Sequence, residues 1–166
     1  IGNILSHLYN DGLVDKVLIA KIGQYAENNY FMKPCGLLDQ MACSVGGFVT
    51  IDFKDKENPI VEAIDFDFAH SDYALCLVDT KGNHADLSDE YGLMPFEMKQ
   101  VAKVFNKTVL SEITMEQLLS NIALVRQTCS DRAILRAIHF LNETDRVVKQ
   151  VEALKNKDLE TFKQLI

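Results

Sequence analysis

Among the residues able to do chemistry, one carboxylate is set apart by its surroundings. Asp39 lies in Cys35-Gly36-Leu37-Leu38-Asp39-Gln40-Met41-Ala42-Cys43-Ser44-Val45-Gly46-Gly47, an otherwise largely apolar stretch entered through Pro34. A lone acid held against a hydroxyl can accept its hydrogen bond, orient it and take its proton. Pro34 and Gly36 punctuate the entry to that stretch. Other groupings carry less. His84 and Asp86 sit two apart in a polar loop and have no third partner for a metal or a polarised hydroxyl. Asp65, Asp67, Asp72 and Asp79 flank strand-like runs without the fixed spacing of a metal site, and solvated strand-end acids account for them. Cys35, Cys43, Cys76 and Cys129 show no metal-like spacing, three of them in apolar surroundings. Reduced, buried thiols of a cytosolic protein are a simpler reading of them than disulfides.

The elements that must position Asp39 follow from periodicity. Leu37, Leu38, Met41, Ala42 and Val45 recur at helical spacing, and Gly46-Gly47 supplies the stop. The spacing predicts a short, mostly buried helix with Asp39 in its first turn, where unpaired N–H groups and the macrodipole favour an ionised carboxylate. Ahead of it, residues 1–9 read as a helix closed by Asn10-Asp11-Gly12. A second helix ends near Asn29, with Val14, Val17, Leu18, Ile22, Tyr25 and Ala26 as its core stripe. Residues 48–53 and 60–64 read as a hairpin around a polar turn, and residues 73–78 as a central strand buried on both faces.

Beyond the polar loop at 80–87, Ser88-Asp89-Glu90 opens a helix that buries Met94, Met98, Val101, Ala102 and Phe105, with Pro95 at the first turn of a restart. Thr114-Met115-Glu116-Gln117 fits a capping box. Ser130-Asp131 begins the longest helix, with Ile134, Leu135, Ile138, Leu141, Val148, Val151 and Leu154 inward and His139 as a hydrogen-bonded packing residue. Asp158 caps the last helix.

Composition limits the function classes. The chain has 166 residues, 48% hydrophobic and 25% charged, which is globular rather than disordered. A net charge of −7 with no basic run argues against nucleic acid. No apolar stretch reaches membrane-spanning length and no signal-peptide pattern occurs, so a membrane partner is not expected. Ile1, Ile4, Leu5 and Leu8 are already in helical register at the first residue, and the last residues stop inside an amphipathic run. The sequence thus reads as an internal piece of a longer protein.

Cys35-Gly36-Leu37-Leu38-Asp39-Gln40 closely resembles the Cys-Gly-[Ile/Met]-Met-Asp-Gln segment of galactokinases, members of the GHMP sugar and metabolite kinases. Gln24-Tyr25-Ala26-Glu27-Asn28 resembles the helix that family places before it. The likeness extends through Gly46-Gly47, Ser88-Asp89-Glu90-Tyr91 and Arg136-Ala137-Ile138-His139-Phe140-Leu141-Asn142-Glu143. It implies an α+β fragment of a two-lobe fold, a mixed or antiparallel sheet packed with helices. Residues 1–66 would be the later part of the N-terminal lobe, and residues 67–166 the first part of the C-terminal lobe.

It also implies a cytoplasmic parent enzyme that phosphorylates the C1 hydroxyl of galactose with ATP and Mg²⁺. Asp39 would be its catalytic carboxylate, as general base or as electrostatic orienter of the acceptor hydroxyl, with Gly36, Asp39 and Tyr91 at the sugar. Where many galactokinases continue after the tyrosine with an Asn-x-Arg-Arg-like run, this chain has Gly92-Leu93-Met94-Pro95. That departure keeps another sugar open as substrate. A non-catalytic sugar-binding regulator is the alternative from a different class. The family's glycine-rich phosphate loop is absent, so no nucleotide or metal ligand is expected among these residues, and the chain alone is expected to be inactive.

Overall fold

The computed structural model describes residues 1–55, 57–68, 71–74, 76–81 and 88–166, with residues 88 and 89 by backbone alone. His84 and Asp86 lie outside the described residues. The chain is α+β and divides into two compact units, Ile1–Phe66 and Asp67–Ile166.

In the first unit, α1 (Gly2–Tyr9) ends where Asp11 and Gly12 take left-handed φ of 53° and 72°. Asp15 caps α2 (Lys16–Tyr25), its carboxylate accepting from the Leu18 N–H at 3.0 Å. The helix then widens into a π-helical turn, Ala26–Tyr30. A short extended segment leads to α3 (Leu38–Val45), which stops at Gly46 and Gly47, both at positive φ (77° and 69°) where a side chain would be strained. β1 (Phe48–Asp52) pairs antiparallel with β2 (Ile60–Ile64), Phe48 opposite Ile64 and Asp52 opposite Ile60. Ala20, Leu37 and Met41 form the core, packed by Val17, Val45, Ile51, Phe53 and Val61.

Two expectations for this unit fail for one reason. The α2 stripe is wider than the surface α3 offers it, so Leu18, Ile22 and Tyr25 stay exposed, Tyr25 at 69%. Tyr25 is therefore not core. By the same geometry α3 buries only Met41 and Ser44 and is not mostly buried.

In the second unit, the described residues of 73–78 form no strand, and Leu77 and Val78 are 98% and 83% exposed. A continuous apolar run becomes a central strand only where flanking strands complete its ladder. Here Tyr73 is instead tied to the last helix: its hydroxyl meets Lys163 and Glu160, with the Lys163 ammonium 4.2 Å from the ring centroid.

The next helix, α4 (Ser88–Val104), runs unbroken with Pro95 inside it, so it does not restart there. Proline has no N–H to give the Tyr91 carbonyl one turn back. A 3₁₀ turn (Leu110–Glu112), α5 (Met115–Ser120), α6 (Ile122–Val125), α7 (Asp131–Lys155) and α8 (Leu159–Gln164) follow. Thr114 and Gln117 form the reciprocal capping box, and Ser130 and Asp158 cap α7 and α8.

Val101, Ala102, Leu110, Ile113, Leu118, Val125, Cys129, Ala133, Ile134 and Ala137 are the core of this unit. Met94, Leu135 and Val148 are exposed, as is His139, whose Nδ1 is 3.9 Å from Glu143. His139 is thus a surface residue rather than a packing one. The four cysteines are free; only Cys129 is buried, Cys35 is half-buried, and Cys43 and Cys76 are exposed.

Candidate functional site

Asp39 occupies the first turn of α3, as the spacing requires, and its side chain is exposed. Among the described residues it has no hydrogen-bond or ion-pair partner. The acid is not consumed by the fold. A Cβ built on Gly36 would meet nothing within 4 Å, and its φ is not in the left-handed region. Neither packing nor backbone conformation demands glycine there, and the space beside it is open.

The residues flanking these two are stitched onto α2 and the π-helical turn. Asn28 makes a two-way pair with the Cys35 backbone: the Cys35 N–H donates to Asn28 Oδ1 at 2.8 Å, and Asn28 Nδ2 donates to the Cys35 carbonyl at 3.3 Å. Gln24 Nε2 donates to the same carbonyl at 3.3 Å. Gln40, next to Asp39, donates from Nε2 to Glu27 Oε1 at 2.8 Å and approaches Cys35 Sγ at 3.5 Å. Two backbone bonds complete the seam, Phe31 N–H to the Ala26 carbonyl at 3.0 Å and Lys33 N–H to the Glu27 carbonyl at 2.9 Å.

Charge follows this geometry. The Gln40 amide holds the Glu27 carboxyl below the usual range, while burial, and then the Glu27 charge, push the Cys35 thiol up. At the far end of α3, Lys16 Nζ donates to the Val45 carbonyl at 3.1 Å and Ser44 Oγ to the Lys16 carbonyl at 2.8 Å. The helix carrying Asp39 is fixed at both ends.

Sequence patterns do not point to this seam. Gln24, Glu27 and Asn28 fall on one face of the helix at i, i+3 and i+4, and that polar face reads equally well as solvated.

Tyr91 lies in the first full turn of α4 and is 48% exposed. Beside it, Glu90 Oε2 is 3.7 Å from Arg132 and 3.8 Å from Arg136. Two turns on, Glu97 is only 6% exposed, receives Arg132 through Nε and Nη2 at 2.9 and 2.6 Å, and meets Arg136 Nη1 at 2.8 Å. The Arg136 contact is ionic, without the alignment of a hydrogen bond. Hydrogen bonding to Glu97, reinforced by its charge, raises the Arg132 pKa. This ion cluster joins α4 to α7.

Among the described residues no group of three or more His, Cys, Asp and Glu comes together to hold a metal ion. No helix among them is long and apolar enough to cross a membrane.

Comparison with known proteins bears on this arrangement. No protein-family model matches the chain. Over its whole length it is 27% identical to a galactokinase of Clostridium tetani, of which it covers 42%. It is 31% identical over 153 residues to a galactokinase of Thermotoga petrophila, 92% of this chain and 41% of that one. The chain is a sequence relative of the galactokinases. A galactokinase of Actinobacillus pleuropneumoniae is 30% identical over 154 residues, 89% of this chain and 38% of its own length. The chain thus spans about two fifths of the length of these galactokinases, as an internal fragment of one would.

Proposed function

We propose that these residues are the sugar side of a galactokinase-like kinase that transfers the γ-phosphoryl group of ATP to the C1 hydroxyl of galactose. The observation that supports this most is an exposed Asp39, without a partner among the described residues, in the first turn of α3, three residues after an open Gly36, in a chain related to galactokinases along nearly all of its length. In the reaction the C1 oxygen bonds to the γ-phosphorus, the bond from that phosphorus to the ADP oxygen breaks, and the hydroxyl proton passes to the Asp39 carboxylate. Phosphoryl transfer is mostly positioning and electrostatics, and a carboxylate that orients the acceptor and takes its proton contributes roughly 10²–10⁴ in rate.

Gly36 lets the backbone come close to the sugar. Tyr91 offers a pyranose both a flat apolar face and a hydroxyl. Residues 1–66 belong to the later part of the N-terminal lobe and residues 67–166 to the first part of the C-terminal lobe. ATP and Mg²⁺ are held by residues outside these 166, in a cytoplasmic enzyme of galactose metabolism.

One observation favours a second reading, a kinase of the same superfamily for another sugar. Gly92-Leu93-Met94-Pro95 directly follows Tyr91 in α4, and the proline disturbs the backbone pairing of that very turn.

The test is a panel of monosaccharides with ATP, read by phosphorus NMR for an anomeric phosphate. The complete kinase is expected to prefer galactose, and the 166-residue chain alone to show no ATP-dependent turnover. Phosphorylation of another sugar in preference would select the second reading. No sugar phosphorylated by the complete protein would overturn both, and turnover by the chain alone would overturn the assignment of the nucleotide cradle elsewhere.

A further inference from the structure

The peptide between the π-helical turn and α3 has little to hold it in place. Met32, Lys33 and Pro34 are exposed, Met32 takes a left-handed φ of 54°, and the first buried apolar side chain is Leu37. Yet this peptide sets where Gly36 and the first turn of α3 lie. What fixes it is polar, and one side chain is the only one to hold both backbone groups of Cys35 among the described residues. Asn28 satisfies both the N–H and the carbonyl of Cys35, as a neighbouring strand would, although it projects from a helical turn. Gln24 and Gln40 add to the same point. An asparagine at this place is otherwise costly, because its side chain competes for backbone groups within the helix.

We infer that Asn28 is a positioning residue for the acceptor site: its two-way pair with Cys35 sets the distance and direction from Gly36 to the Asp39 carboxylate. The inference rests on the sugar-kinase reading above for its consequence, and on geometry alone for the clamp. Asn28 touches no reacting atom, and its effect passes through the Cys35 peptide. A misplacement of about 1 Å in an acceptor-orienting group costs on the order of a hundredfold in turnover.

Two measurements test it. In the 166-residue chain, site-resolved mass spectrometry follows alkylation of Cys35, with exposed Cys43 and buried Cys129 as internal references. Asn28→Ala is expected to speed Cys35 labelling about tenfold, the weight of a net hydrogen bond lost from a local opening, and to leave Cys43 and Cys129 unchanged. Asn28→Asp keeps the acceptor for the Cys35 N–H and loses the donor, so its rate should fall between the two. This second variant carries the test if the alanine variant does not fold. Unchanged Cys35 labelling in a folded variant overturns the clamp.

In the complete kinase, Asn28→Ala is expected to lower kcat by about a hundredfold, to leave the KM for ATP unaltered, and to be partly rescued by Asn28→Asp. Faster labelling with an unaltered kcat would overturn the positioning role. Loss of the kinase reading itself has a separate signature: the complete protein would phosphorylate no sugar while the Cys35 result stood.

Discussion

Asp39 costs the fold almost nothing, and that makes its role testable. Its carboxylate has no partner among the described residues, so its structural contribution is limited to the helix-dipole interaction in the first turn of α3. Such an exposed interaction stabilises by a few tenths of a kcal/mol up to about 1. Urea denaturation of Asp39→Asn should therefore shift stability by about 1 kcal/mol or less. A loss of several kcal/mol would mean that the acid is structural after all.

Met41 is the opposite case at the same scale. It is fully buried two residues on, between α2 and the hairpin, and Met41→Ala should destabilise the first unit by about 2–5 kcal/mol. The place of Asp39 in the first turn of α3 was legible from helical spacing. The role proposed for it came from the resemblance, because an acid at a helix start is ordinary by itself. Asn28 was not legible: a side chain that pairs with a backbone group seven residues away leaves no periodic trace.

Among the elements, those with explicit punctuation were the readable ones. Pro34 and Gly36 before α3, the double glycine after it, and the caps at Thr114, Ser130 and Asp158 all fix ends by local chemistry. Faces were harder. Tyr25, Met94, Leu135 and Val148 lie on apolar stripes, but a stripe states which side would be buried, not whether a neighbour covers it. The run at 73–78 fails in the same way.

Helix α4 illustrates a different trade. Its first half carries Gly92, Pro95 and exposed apolar residues, and it meets α7 through Glu90, Glu97, Arg132 and Arg136. A Cβ at Gly92 meets nothing, so Gly92→Ala should stabilise this unit by roughly 0.5–1 kcal/mol, read as a higher urea midpoint. Arg136→Met should do the reverse. Half of the Glu97 neutralisation goes, and a buried acid left short of its partner costs about 3 kcal/mol or more. A double change to Glu97→Met and Arg136→Met should recover much of that loss, because no buried charge remains to be satisfied.

For the whole chain, pH reads the sum of these local fields. Glu27, Glu112 and Asp158 have carboxyls held below their ordinary range, by the Gln40 amide, the Thr108 N–H and hydroxyl, and the Thr161 hydroxyl and N–H respectively. A lowered folded-state pKa means stability that is fully present above the ordinary carboxylate range and lost as pH falls through the lowered values. Cys35, pushed up by burial, works in the other direction: its contribution is complete below the ordinary thiol value and lost as pH rises through the raised one. The urea midpoint should accordingly be flat near neutrality and decline at both extremes. Glu112→Gln should soften the acid decline in particular, because its carboxylate serves two backbone N–H groups and a hydroxyl.

The central claim is that one free carboxylate at the start of α3 meets an incoming alcohol. Its most direct test is the galactose-dependent rate of the complete kinase with Asp39→Asn, measured beside its unfolding curve. A fall of roughly 10²–10⁴ in kcat with unfolding unchanged is the expected result. A rate within about tenfold of the unaltered enzyme would contradict the account, since it would remove the only proton acceptor assigned to the hydroxyl.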